Sequence, residues 1–183
     1  LIQDGDKIAV CISGGKDSLA LLYALAGLRK FMPQKFHIMA VTADLGFGEF
    51  DLSGIKKLCE ELEVEYHVIK TDIAEILNQK VQKGTYCAMC AKLRKGAINS
   101  FAKEHGCNKV AYAHHQDDMI ETMMLSLIYE GQFYCFGPET YYKEADITVI
   151  RPLINIPEKN IIGFRNKYKL PCVKNPCPHD NIT

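Results

Sequence analysis

The chain has 183 residues, 48% of them hydrophobic and 24% charged, with 22 basic residues against 22 acidic ones. That is long enough to bury a core without staples. No apolar run reaches the roughly 18–20 residues of a membrane span, so no membrane partner is expected and net charge by itself names none.

The charges are unevenly placed. Asp44 to Glu65 holds seven acids against Lys56 and Lys57, whereas Arg151 to Lys174 holds Arg151, Lys159, Arg165, Lys167, Lys169 and Lys174 against Glu158 alone. The second stretch suits phosphates, or is simply a solvated helix face. The sequence opens Leu1-Ile2-Gln3-Asp4 without a methionine and reads as an internal piece of a longer protein, trimmed at both ends. No secretory signal is read, and eight cysteines then imply a reducing, cytoplasmic setting with thiols free for metal or sulfur chemistry. Cys11, Cys59, Cys107 and Cys135 stand singly in apolar or helical surroundings and read as core or surface residues.

In chain order, Lys7–Ile12 is a short apolar run predicting a buried strand that delivers Ser-Gly-Gly, and Ser18–Leu25 follows at helical spacing. Phe36–Ala43 predicts a strand, Leu52–Leu62 a helix, Glu65–Lys70 a strand and Asp72 to about Lys80 a helix. Cys90–His105 predicts a helix with Leu93, Ala97, Ile98 and Phe101 along one face. Lys109–Ala113 predicts a strand, Asp117–Tyr129 a helix, Ile147–Ile150 a strand and Glu158–Tyr168 a helix. Gly131–Ala145, with its Gly, Pro and Tyr residues, is expected to be irregular. Apolar strands alternating with helices predict an α/β fold: a three-layer parallel sheet with helices on both faces, as one domain over residues 1–183.

Ligands of such sheets bind beyond the carboxyl ends of the strands. Ser13-Gly14-Gly15-Lys16-Asp17-Ser18 falls there, after the first strand. The two glycines allow a sharp turn and a close approach of N–H groups to an anion, the helix start adds positive potential, and Lys16 adds a charge. Neither the Walker pattern nor the dinucleotide fingerprint is present. The alternative is an ordinary strand-to-helix turn, which needs only one glycine.

Cys87-Ala88-Met89-Cys90 is expected just before a helix, and Cys177 lies far downstream in Asn175-Pro176-Cys177-Pro178. Two cysteines and a distant third suit an iron–sulfur cluster with one open iron. With Cys172 they also suit a closed zinc site, and Cys87 with Cys90 a redox disulfide. Between them, Ala113-His114-His115-Gln116-Asp117-Asp118 stands at a strand end and helix start, where the carboxylates suit a hard cation or, for Asp117, a helix cap.

The loop Ser13–Ser18 resembles the PP-loop of the ATP pyrophosphatases. Taken with Cys87/Cys90 followed by Lys92-Leu93-Arg94-Lys95-Gly96, the His-His-x-Asp-Asp run, Arg151-Pro152-Leu153, Pro157-Glu158-Lys159 and Cys177, nearly the whole chain is similar to the tRNA 2-thiocytidine synthetase branch. The resemblance implies an adenine nucleotide alpha hydrolase-like, Rossmann-like fold. It implies an ATP-dependent tRNA sulfurtransferase that adenylates a base carbonyl, here a cytidine of the anticodon loop, and replaces the oxygen with sulfur. The implied cofactors are ATP, Mg²⁺ and a [4Fe-4S] cluster, with zinc as the alternative. Lys16, Asp17, Asp44 and Asp117 would be catalytic; Ser13, Gly14, Gly15, Lys16, Asp17, Ser18, Asp44, Ala113 and His114 would bind nucleotide; Cys87, Cys90 and Cys177 would hold the cluster.

Ala113 stands where the family usually has glycine, so a methyl group faces the nucleotide side. The implied partners are tRNA, met by Lys92, Arg94, Lys95 and the Arg151–Lys174 group, a sulfur donor such as a cysteine desulfurase, and a second copy in a homodimer. A tRNA-lysidine synthetase shares the loop but has no need of the three cysteines, and a non-catalytic zinc-binding module is the other alternative.

Overall fold

The computed structural model describes residues 1–80 and 86–178. The strands are β1 (Lys7–Cys11), β2 (His37–Asp44), β3 (Glu65–Lys70), β4 (Lys109–Ala111), β5 (Glu139–Tyr142) and β6 (Ile147–Ile150). The helices are α1 (Lys16–Phe31), α2 (Ser53–Glu61), α3 (Ile73–Lys80), α4 (Tyr86–Glu104), α5 (Gln116–Leu125), continued by a π-helical turn over Ser126–Glu130, and α6 (Glu158–Tyr168). One six-stranded sheet runs in the order β3-β2-β1-β4-β6-β5. All neighbours pair parallel except β5, which lies antiparallel on β6.

The alternation of side chains along β1 decides which helix covers which face. Ile8 and Val10 point into a core shared with Leu19, Leu22 and Leu25 of α1, Ile55 and Leu58 of α2, and Ile161 of α6. Ala9 points the other way, with Met39 and Val41 of β2, into a core shared with Leu77 of α3 and Ile98 and Ala102 of α4. Both faces are therefore dry, which is why β1, β2 and β4 read as unbroken apolar runs. At about 1.5–3 kcal/mol for each fully buried large aliphatic side chain, these two cores carry the fold.

Two elements depart from the sequence reading. The expected irregular stretch Gly131–Ala145 contains β5, whose four residues have only one strand neighbour. Long-range contacts hold it there: Arg151 Nη1 donates to Gly137 O at 2.8 Å and to Thr140 Oγ1 at 3.0 Å, and Lys95 Nζ lies 3.5 Å from the centre of the Tyr142 ring. The described part of α4 starts at Tyr86, so Cys87 and Cys90 sit within the helix rather than ahead of it. Their spacing of three places both on one helical face.

The sheet order reverses direction on either side of β1: β2 and β3 go one way, β4 and β6 the other. The crevice outside the carboxyl ends of β1 and β4 is the switch point at which such sheets bind ligands. Below it, at the opposite edge, Lys109 Nζ meets Asp6 Oδ2 at 2.8 Å, with the two side chains only 8% and 3% exposed. Asp6 also accepts from the Gln3 amide at 2.6 Å and from Asn108 Nδ2 at 2.7 Å. Burial alone would raise the Asp6 pKa. The hydrogen bonds from Lys109, Gln3 and Asn108 outweigh it and hold the carboxyl below its ordinary value. A lowered folded pKa contributes stability that is present above the unfolded value of about 3.9 and lost as pH falls through the folded one. The urea midpoint is therefore expected to drop as pH is lowered below about 4. Lys109→Met, which strands Asp6 without a counter-charge, is expected to cost about 3–5 kcal/mol at pH 7; a variant as stable as the parent would refute the coupling.

Candidate functional site: an anion cradle and a thiol group on one cleft

Ser13 to Gly15 turn the chain from β1 into α1. Gly14 takes φ +87°, a region closed to most side chains, and a Cβ there would overlap Val173 Cγ2. The serines lock the turn from inside: Ser18 Oγ donates to Gly15 O at 2.9 Å and accepts the Ser13 amide at 3.2 Å, while Ser13 Oγ accepts the Gly15 amide at 3.4 Å. No side chain caps the start of α1. The first-turn amides of this 16-residue helix have no intrahelical acceptor and point, with the positive end of the dipole, toward the crevice. That is an anion cradle.

Lys16 Nζ stands 2.8 Å from Glu158 Oε1 and 3.2 Å from Asp17 Oδ2. Burial lowers its pKa, but hydrogen bonds from the ammonium to Glu158 and Asp17 more than compensate, so the lysine is held charged. The same bond to Lys16 pulls the Glu158 carboxyl down.

In front of the loop lies a cleft of about 230 Å³. Its walls are Ser13, Asp17 and Ser18 from the loop, Ala43 and Leu45 from the end of β2, Tyr112 to His114 and Asp118 from the β4–α5 junction, Arg94 from α4, and Asn175 with Pro176 from the segment after α6. Three buried polar atoms on these walls have no hydrogen-bond partner among the described residues: Asp17 Oδ1, which has only His115 Nε2 at 3.8 Å, Tyr112 Oη and His114 Nδ1. A buried polar atom left unpaired costs free energy, so such a set marks a surface built to meet a ligand. Burial, reinforced by the nearby Arg151 charge, lowers the His114 pKa and keeps the ring neutral. Burial also pushes the Tyr112 phenol far up, so it stays a donor.

Of the residues singled out from the sequence, Ser13, Asp17, Ser18, Ala113 and His114 line the cleft, and Gly14, Gly15 and Lys16 form the loop behind it. Asp44 does not line it. Its carboxylate accepts the Gly46 amide at 3.1 Å, and its carbonyl takes the Thr71 amide and hydroxyl, so it shapes the turn that presents Ala43 and Leu45. Asp117 faces α6 and accepts the Glu158 amide at 2.7 Å, as a cap for that helix. Its neighbour Asp118 lines the cleft and forms a reciprocal cap with His115 at the start of α5.

Arg94, Tyr112, Asn175 and Cys11 are cleft residues that the sequence reading did not assign there. The sequence groups Arg94 with Lys92 and Lys95 as an RNA contact, whereas in the fold it lines the cleft. Its position four residues after Cys90, on the same helical face, was the available signal. Arg151 is likewise buried against the β5 edge and is not offered to phosphates, and Lys95 stacks on Tyr142, whereas Lys92, Lys159, Lys167, Lys169 and Lys174 are exposed. Cys59 and Cys107 are core residues as expected, and burial pushes the Cys11 thiol up to about 11.

The remaining thiols divide into two groups. Burial raises the Cys90 pKa, Arg94 opposes it, and Cys177 and Cys87 raise it further. Tyr86 feels the same three thiols. Cys87, Cys90 and Cys177 are therefore neighbours around the start of α4, although among the described residues no three His, Cys, Asp or Glu side chains stand at metal-holding distances. Cys172 answers instead to Arg165, Asp17 and Lys16, on the side of the anion loop. That separation does not favour the closed four-cysteine zinc site.

Residues 3–181 match the family ATP_bind_3, the PP-loop domain. The tRNA-cytidine(32) 2-sulfurtransferase of Geobacter sulfurreducens is 40% identical over 179 residues, covering 97% of this chain and 70% of that one. Among solved structures, the U34-tRNA thiolase NcsA from Methanococcus maripaludis with its [4Fe-4S] cluster superposes with a TM-score of 0.78 at 28% identity, over 97% of this chain and 62% of that one. The NH3-dependent NAD synthetase from Campylobacter jejuni shares the fold alone, at TM-score 0.56 and 18% identity over 92% of this chain and 66% of that one. With its Ser-Gly-Gly-Lys-Asp-Ser cradle at the switch point and these relatives, the chain belongs to the PP-loop ATP pyrophosphatases, in the tRNA 2-thiocytidine synthetase branch.

Proposed function

We propose that this chain is the ATPase domain of a tRNA thiolase that converts a cytidine of the anticodon loop to 2-thiocytidine. One observation carries the reading. The cleft walled by Ser13, Asp17 and Ser18 is also walled by Arg94, one turn beyond Cys90, and by Asn175 and Pro176, next to Cys177. None of Cys87, Cys90 and Cys177 is itself on the cleft wall; we read the nucleotide loop and the thiol group as adjoining sites that share these residues. The choice of cytidine follows the 40% identity to an enzyme named for cytidine 32, against 28% to a thiolase named for U34.

In the first step the base O2 attacks the α-phosphorus of ATP and the bond to the β-phosphate oxygen breaks, releasing pyrophosphate. Lys16 and the free amides of α1 stabilise the charge that collects on that leaving group, by position and electrostatics rather than by a protein nucleophile. Asp17 Oδ1, buried with no hydrogen bond among the described residues and only His115 Nε2 at 3.8 Å, fits a hard cation, so Asp17 and Asp118 would hold Mg²⁺. The Tyr112 phenol and the neutral His114 ring supply unpaired polar atoms for the incoming base or nucleotide. In the second step a sulfur nucleophile attacks C2, the C2–O bond breaks and AMP leaves. Arg94, which among the described residues has no ion-pair partner, offsets negative charge on the sulfur species and on AMP.

Cys87, Cys90 and Cys177 are soft donors that influence one another, and this chemistry fits a [4Fe-4S] cluster with one iron left open. When bound, that group supplies an iron site for exogenous sulfur. The exposed lysines 92, 159, 167, 169 and 174 give tRNA phosphates a positive surface, and a cysteine desulfurase is the proposed sulfur source. Ile128, Tyr129 and Phe133, 66–81% exposed, suit burial against a second copy in a homodimer. No described helix is long and apolar enough to cross a membrane, and the proposed setting is the cytoplasm.

Mass spectrometry of tRNA nucleosides from a strain lacking the gene is expected to show 2-thiocytidine missing and unmodified cytidine in its place. An unchanged nucleoside profile would sink the proposal. Lys16→Ala is expected to lower the rate of pyrophosphate release by about 10²–10³-fold, while iron content stays at the parent level. Cys177→Ala is expected to lose iron and sulfide by elemental analysis yet still bind ATP; full iron retention would remove Cys177 from the ligand set.

A further inference from the structure

Residues 171–178 form a strap that runs from α2 past the nucleotide loop to the cleft wall. Helix α6 ends at Tyr168, its cap residue Lys169 takes a left-handed φ of +49°, and Leu170 is buried in the core beside α1. Pro171 then packs so closely on Gly54 of α2 that a Cβ at Gly54 would lie 3.0 Å from Pro171 Cβ. The Val173 amide donates to Gly14 O at 3.0 Å, and the Val173 side chain fills the space above Gly14. Two residues on, Asn175 and Pro176 wall the cleft, and Asn175 Oδ1 accepts the Cys177 amide at 3.0 Å. Cys177 in turn acts electrostatically on Cys90 and Tyr86. From Val173 to Cys177 is four residues, at most about 14 Å of extended chain, so an anchor at Gly14 limits where the thiol can go.

We propose that Val173 and Asn175 are positioning residues that register Cys177 against the nucleotide loop, so that ATP binding and metal ligation at Cys87, Cys90 and Cys177 are thermodynamically coupled. This rests on the thiolase reading above. Nucleotide in the cleft orders the strap through Asn175 and Pro176, and ligation of Cys177 orders the same strap from its far end. Whichever comes first removes conformational freedom that the second would otherwise have to remove, giving positive and reciprocal coupling. Neither residue has to touch the reacting atoms.

The test is anaerobic calorimetry of a non-hydrolysable ATP analogue, α,β-methylene ATP, against cluster-reconstituted and metal-free protein. The loaded parent is expected to bind the analogue at least about five-fold more tightly than the metal-free form. Asn175→Ala is expected to keep its iron and still bind the analogue, with that ratio reduced to near one. Asn175→Asp, which keeps the acceptor for the Cys177 amide, is expected to restore the ratio, and Val173→Pro, which deletes the donor to Gly14, to lose it. Loaded and metal-free parents of equal affinity, or Asn175→Ala with an undiminished ratio, would overturn the coupling alone. A parent that takes up no iron under reconstitution would overturn the thiolase reading and the coupling with it.

Discussion

The site depends on the backbone at Gly14. Its positive φ turns the chain out of β1 so that the first amides of α1 face the crevice, and its missing side chain leaves room for Val173. Either demand alone restricts the residue; together they exclude every side chain. The cradle is thus fixed by sheet geometry from below and by the strap from above. Ser13 and Ser18 take up loop groups that would otherwise compete for a ligand, leaving the helix-start amides as the free donors.

Polar residues around the cleft fall into two sets. Asp117, Asp118, His115 and Glu158 are tied to one another or to helix starts, and they fix the relation between α5, α6 and the loop. Asp17 Oδ1, Tyr112 Oη and His114 Nδ1 have no hydrogen-bond partner among the described residues. A folded protein keeps few buried polar atoms in that condition, because each costs about 1–3 kcal/mol. Three of them on the walls of one cleft locate the ligand side more sharply than the shape of the cavity does.

Much of the architecture was legible in the sequence because β1, β2 and β4 are dry on both faces and so appear as unbroken apolar runs. The loop was legible because its residue types are unusual for a plain turn. β5 was not, since its four residues are held by pairing with β6, by Arg151 just beyond that strand and by Lys95 of α4 rather than by their own pattern. The roles of Asp117 and Arg94 were hidden for a related reason. Motif spacing places a residue near a strand end or on a helix, but whether a carboxylate turns to a neighbouring helix start, or a guanidinium into a cleft, is decided by packing between elements far apart in the chain. Asn175 belongs to the same class: only the path of the strap brings it to the cavity wall.

The contact between Lys16 and Glu158 has a bearing on which anions the enzyme admits. An ion pair this open to solvent, with side chains 27% and 41% exposed, is worth at most about 1 kcal/mol, so it is a weak occupant of the cradle. It nevertheless sets a threshold. Any anion that takes the cradle does so at the expense of the Lys16–Glu158 contact, a cost of at most about 1 kcal/mol.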